Sequence, residues 1–158
     1  KDRHGLAVLN ALLGEGMSSR LFQRLRERHG YAYNIYSFLS MYHEVATFGV
    51  YAALEAGQTE RARTHILREL STLAEHRVST RELNRAKEQV VGGMLMGLES
   101  MTNRMSRLGR DTLVFDRDIP VTHLVEAIHE VSTEDLRRLS SLLFDPRWLM
   151  EMCFHPKA

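Results

Sequence analysis

The sequence has one cysteine, Cys153, three prolines and one tryptophan. It contains no run of the roughly 18 apolar residues that a membrane-crossing helix needs. A single cysteine excludes an intramolecular disulfide and a cysteine-cluster zinc site, and it suits a reducing compartment. Cys153 itself is read as a small buried apolar residue. Charge of one sign is lacking too. Lys and Arg total 21 against 20 Asp and Glu, so no surplus exists to draw a nucleic acid or a membrane surface. The start KDRHG leads into no signal-peptide pattern, no stretch reads as a linker, and no fixed period marks a repeat protein. The expected setting is soluble and, for a bacterial protein, cytoplasmic.

What is present fits one globular domain over residues 1–158, with 44% hydrophobic and 26% charged residues. Leu6 to Leu13 is apolar nearly all round, with Asn10 its polar member, and it predicts a buried helix stopped at Gly14. Ser18 or Ser19 is placed to cap a helix from Arg20 to about Arg28. Leu21, Phe22 and Leu25 face inward there, and Gly30 closes it. Ala32 to Tyr42 and Phe48 to Leu54 are rich in aromatic and β-forming residues, predicting an antiparallel hairpin.

Thr59 to His76 has helical apolar spacing through Ala62, Ile66, Leu70 and Leu73. Ser79 with Glu82 is a capping-box signal for a helix through Leu98, and Ser132 with Asp135 is a weaker one. Met101 to Phe115 and Val121 to His129 read as further helices, and Trp148 to Phe154 as a closing strand after Pro146. Met94, Met96, Met101 and Met105 are expected to fill gaps in the core. The order predicts a two-layer α+β domain, a mostly antiparallel sheet covered by helices.

The stretch LLGEGMSSRLFQRLRERHGYAYNIYSF, followed by VSTRELNRAKEQVVGGMLMGLESMTNRMSRLGR and VSTEDLRRLSSLLF, resembles the C-terminal half-unit of the pitrilysin, insulinase and mitochondrial-processing-peptidase family of zinc metallopeptidases. The likeness runs in order over about 130 residues. It implies a truncated half-unit whose N-terminal strand is missing, because the family's unit has a strand before this first helix.

The family's zinc half carries HxxEH, in which two histidines and a distal glutamate bind the metal and the inner glutamate activates water. His43 begins HEVAT and His123 begins HLVEA; Thr47 and Ala127 stand where the second histidine is needed. His4, His29, His65, His76, His129 and His155 are scattered and read as surface or hydrogen-bonding residues. The resemblance therefore implies no metal in this chain, with zinc in a partner half, and a chain inactive alone.

It also implies that Arg26 and Tyr33, seven residues apart, contact a bound peptide near its scissile bond. A guanidinium offers fixed donors to peptide carbonyls, and a phenol can donate to a developing oxyanion. The plainer reading makes Arg26 one of four solvated arginines and Tyr33 a packing residue of a strand; Tyr31 and Tyr36, lacking the spacing, are read as packing residues. Gly14 and Gly16 form either a substrate loop or a helix stop and turn. They are not a phosphate loop, for no Lys-Ser/Thr pair follows.

The implied partners are a zinc-bearing N-terminal half or subunit and a peptide or unfolded protein, with a dimer possible. A non-catalytic scaffold subunit of the same fold is the alternative. A metal catalyst using His43 and Glu44, or His123 and Glu126, is the third reading.

Overall fold

The computed structural model describes residues 2–42, 45–55 and 57–154. His43, Glu44 and His155 lie outside the described residues, so the metal reading that involves His43 and Glu44 has no structural account. Helix α1 spans Asp2–Leu13, and a short π-helix spans Phe22–Arg28. Strands β1 (Ala32–Met41) and β2 (Ala46–Leu54) follow. The rest is helical: α2 Thr59–Glu75, α3 Thr80–Gly97, α4 Met101–Phe115, α5 Val121–His129 and α6 Thr133–Leu143. The predicted two-layer α+β architecture is present, a small antiparallel sheet covered by helices.

Helix α1 is the centre of the core. Val8, Leu9 and Leu13 are fully buried, and α1 packs on α3, α6 and β1. Removing that much aliphatic surface from water is the main favourable term of the fold. The helix stops at Gly14 for a steric reason. A Cβ there would lie 2.2 Å from the backbone nitrogen of Ser37 on β1, so only glycine allows α1 and the sheet to approach so closely. The left-handed turn falls two residues later, at Gly16.

Several expectations are corrected. Neither Ser18 nor Ser19 caps the next helix. Ser19 is buried and its hydroxyl donates to the Gly16 carbonyl at 2.7 Å, and the π-helix starts with no side-chain cap. At α3, Ser79 accepts from the Glu82 amide, but the Glu82 carboxylate turns to Arg20 instead of closing the box. The reciprocal box forms at Ser132 and Asp135.

Among the described residues, Trp148 to Phe154 pairs with no strand. The hairpin edges are not extended by it, and its side chains do not reach the core. Cys153 is consequently exposed, not buried. Of the four methionines expected in the core, only Met94 packs against it; Met96, Met101 and Met105 are exposed. No described helix is long and apolar enough to cross a membrane.

Candidate functional site

The arginines of the second helical segment divide into two groups. Glu69, on the inner face of α2, is 3% exposed. Arg24 pairs with one of its oxygens at 2.6 Å and Arg20 approaches the other at 3.6 Å. Arg20 also meets Glu82 of α3 through two bonds of 2.6 and 2.8 Å. Burial works against the Arg20 charge, but the bonds and charges of Glu82 and Glu69 outweigh it and raise its pKa above the ordinary value. This network joins α2, the π-helix and α3. Arg20 and Arg24 are therefore structural cations, and not solvated charges.

Arg26 is exposed. Its guanidinium lies 5.1 Å from the centre of the Phe22 ring, a cation–π contact that holds the head over the helix surface. Among the described residues it makes no ion pair, so its donors are available to a ligand. Segments of π-helix are rare and recur where a side chain has to be re-aimed.

Tyr33 reaches solvent by a defect in the hairpin. Ala32 pairs with Leu54 and Asn34 with Ala53, so Tyr33 is an extra residue at a β-bulge. A bulge puts two consecutive side chains on one side of a strand, and here Tyr33 and Asn34 both point outward while Ala32 and Ile35 point into the core. Tyr33 is 69% exposed. The outward face continues through Tyr36 and Tyr51, cross-strand partners with ring centres 5.1 Å apart, to Phe38. The Phe38 ring lies where a side chain on Gly49 would be. Tyr36, read as a packing residue, stands on this open face; Tyr31 does pack against the core.

The turn between Arg26 and Tyr33 is held at three points. The Tyr31 amide donates to the Leu25 carbonyl at 2.8 Å, and its carbonyl accepts from the Glu55 amide at 3.1 Å. The Tyr31 ring stacks on His29 at 5.0 Å, and His29 lies 4.5 Å from His65 of α2. His65 has its pKa lowered, first by burial and then by the charges of His29, Arg24 and Arg68. Two histidines read as scattered, His29 and His65, are thus brought together on Tyr31.

The Gly14–Ser19 loop is clasped by α3. Gln89 donates to the Glu15 carbonyl at 2.5 Å and Arg85 to the Ser18 carbonyl at 2.8 Å. Gly14 lies against β1, and Gly16 faces Gln89.

Among the described residues no group of three or more His, Cys, Asp and Glu is arranged to hold a metal ion. The buried face of α1 is aliphatic, which does not fit zinc. His123 and Glu126 sit exposed on α5 with Ala127 beside them.

The Glu69 network and the histidine–tyrosine stack escaped the sequence reading. One signal for the first was available: Glu69 interrupts the apolar row Ile66, Leu70, Leu73, and a carboxylate there requires a cation.

A family model described as the peptidase M16 inactive domain matches residues 1–90. An uncharacterized zinc protease of Streptomyces coelicolor is 36% identical over 138 residues, which cover 87% of this chain and 30% of that protein. One of Bacillus subtilis is 34% identical over 141 residues, covering 89% of this chain and 34% of its own length. This chain thus spans about a third of these relatives. The crystal structure of a peptidase M16 inactive domain from Pseudomonas fluorescens matches with a TM-score of 0.78 at 18% identity, covering 89% of this chain and 34% of that one.

Proposed function

From the premise that this chain belongs to the peptidase M16 family, matching its inactive domain, we propose that it is the non-catalytic C-terminal half of a zinc metalloendopeptidase. In this reading it binds and positions a peptide or unfolded protein that the zinc-bearing half hydrolyses. Activation of water belongs to that other half, fused or separate, and the working assembly is placed in a bacterial cytoplasm.

The observation that carries the reading is the contrast within one helical segment. Arg20 and Arg24 are consumed by Glu69 and Glu82, whereas Arg26 is unpaired among the described residues and Tyr33 is turned outward by a bulge. Outward-facing donors that the fold does not use are what a peptide-binding surface requires. Arg26 would grip peptide carbonyls. The Tyr33 hydroxyl would donate to the oxygen that gains charge as water adds to the scissile carbonyl. The Gly14–Ser19 loop, fixed to α3, would form one wall of the approach.

The test uses the assembled enzyme with a peptide substrate. Arg26→Ala and Tyr33→Phe should each lower kcat/KM by more than about tenfold with the thermal midpoint unchanged. Wild-type kinetics in both variants would leave the chain a scaffold subunit of this fold.

A further inference from the structure

Helix α4 carries an apolar stripe that the described elements leave largely uncovered. Met101, Met105, Leu108 and Phe115 recur at helical spacing and form one stripe. Met101 and Met105 are 75% and 67% exposed, and Leu108 is nearly half exposed. The one buried residue of α4 is Asp111, tied to Arg107 one turn earlier at 3.3 Å. Among the described residues α4 makes no substantial packing contact with another element. Its first turn is capped by Ser100, and at its other end Arg3 of α1 lies over the Phe115 ring at 5.5 Å.

A helix of this length draws little stability from its own hydrogen bonds and depends on packing of its apolar face. Beside the stripe runs an open groove of about 520 Å³ with a mixed lining, Leu98, Leu108 and Ile119 together with Glu99, Arg104 and Asp118. Met96 of α3 adds a further exposed thioether. An unbranched, polarizable methionine surface suits a large, irregular apolar partner, and a contiguous apolar patch of this kind marks an interaction site.

We propose that the α4 stripe and its groove form the interface with the remaining part of the longer, zinc-bearing protein. The occupant follows from length: this chain accounts for 30% and 34% of the two relatives described above, so about two thirds of such a protein lies elsewhere. The partner face is apolar where it meets the methionine stripe and polar where it meets Glu99, Arg104 and Asp118. The proposal rests on the reading of the chain as one half of a peptidase, and it assigns the surface by which the halves are held.

Methionine oxidation tests it without any variant. Peroxide converts an accessible thioether to the sulfoxide, and mass spectrometry of peptides gives the rate at each site. In the 158-residue chain, Met101 and Met105 should react within about threefold of free methionine, and in the full-length protein at least about tenfold more slowly. Equal rates in both preparations would overturn the proposal. Protection already present in the 158-residue chain, and lost on dilution, would overturn it in favour of a second copy as occupant. A full-length protein that protects these methionines but hydrolyses no peptide would uphold the interface while sinking the peptidase reading.

Discussion

Helix α1 is apolar nearly all round from Leu6 to Leu13 and helix α4 carries an apolar stripe, yet the two sit in opposite surroundings. Helix α1 buries Val8, Leu9, Leu12 and Leu13 beneath α3, α5, α6 and β1, while α4 leaves its methionines and Leu113 in water and buries Asp111. The same division runs through the charges. Between the π-helix, α2 and α3, Arg20 and Arg24 are fixed on Glu69 and Glu82; on the outward side, Arg26 rests on a single ring. Apolar content shows that a helix has a partner, and the surroundings show whether that partner is in the same chain. The inward layer holds the fold together, and the outward layer is built for something else.

The largest expected effect is on the inward layer. Leu9→Ala, at a site with no exposure, should cost about 2–5 kcal/mol in denaturant unfolding. Met105→Ala in the 158-residue chain should stay within about 0.5 kcal/mol. Equal losses would erase the distinction between the two helices. Next is Glu69→Ala, which strands two cations beside the core. A fully buried pair broken this way costs roughly 3–5 kcal/mol, and about 2 is expected here because both arginine heads keep some contact with water. Arg26→Ala should leave the unfolding midpoint where it is.

Gly14→Ala should cost about 1–3 kcal/mol, since its Cβ would meet backbone and not a movable side chain. Gly16→Ala faces the flexible end of Gln89 in a left-handed turn and should cost about 1 kcal/mol. The comparison of the two glycines separates steric approach from backbone conformation.

The smallest effect is pH dependence. His65 titrates below its ordinary value of 6.5 in the folded chain, so the unfolded chain binds more protons as pH falls. Stability contributed by neutral His65 is present above about pH 6.5 and declines as pH drops toward the lowered folded value. His65→Gln should flatten the fall in thermal midpoint between about pH 7 and 5. An unchanged slope would show that the stack with His29 and Tyr31 does not govern acid sensitivity.

Most of the architecture was legible in the sequence. Helical spacing marked α2, a capping signal marked α3, aromatic enrichment marked the hairpin, and Gly14 and Gly30 marked stops, because these signals are local. What local signals cannot carry is the identity of the neighbour. Ser19 has the chemistry of a cap and spends it on Gly16. Glu82 has the spacing of a capping box and is taken by Arg20, 62 residues away. Methionine spacing indicates an apolar face in α4 without saying which molecule covers it. For the site, the family resemblance singled out Arg26 and Tyr33, but the bulge that turns Tyr33 outward depends on register with β2. The stack of His29, Tyr31 and His65 depends on α2 returning beside the hairpin.

The central claim is that the outward layer grips a peptide while the inward layer holds the fold. The most direct test compares Arg26→Ala with Arg24→Ala in the assembled enzyme, measuring kcat/KM and thermal midpoint on the same preparations. The account predicts a drop in kcat/KM of more than about tenfold at constant midpoint for Arg26→Ala, and a lowered midpoint for Arg24→Ala, whose partner is buried Glu69. Unchanged kinetics for Arg26→Ala, with or without a change in stability, would contradict it.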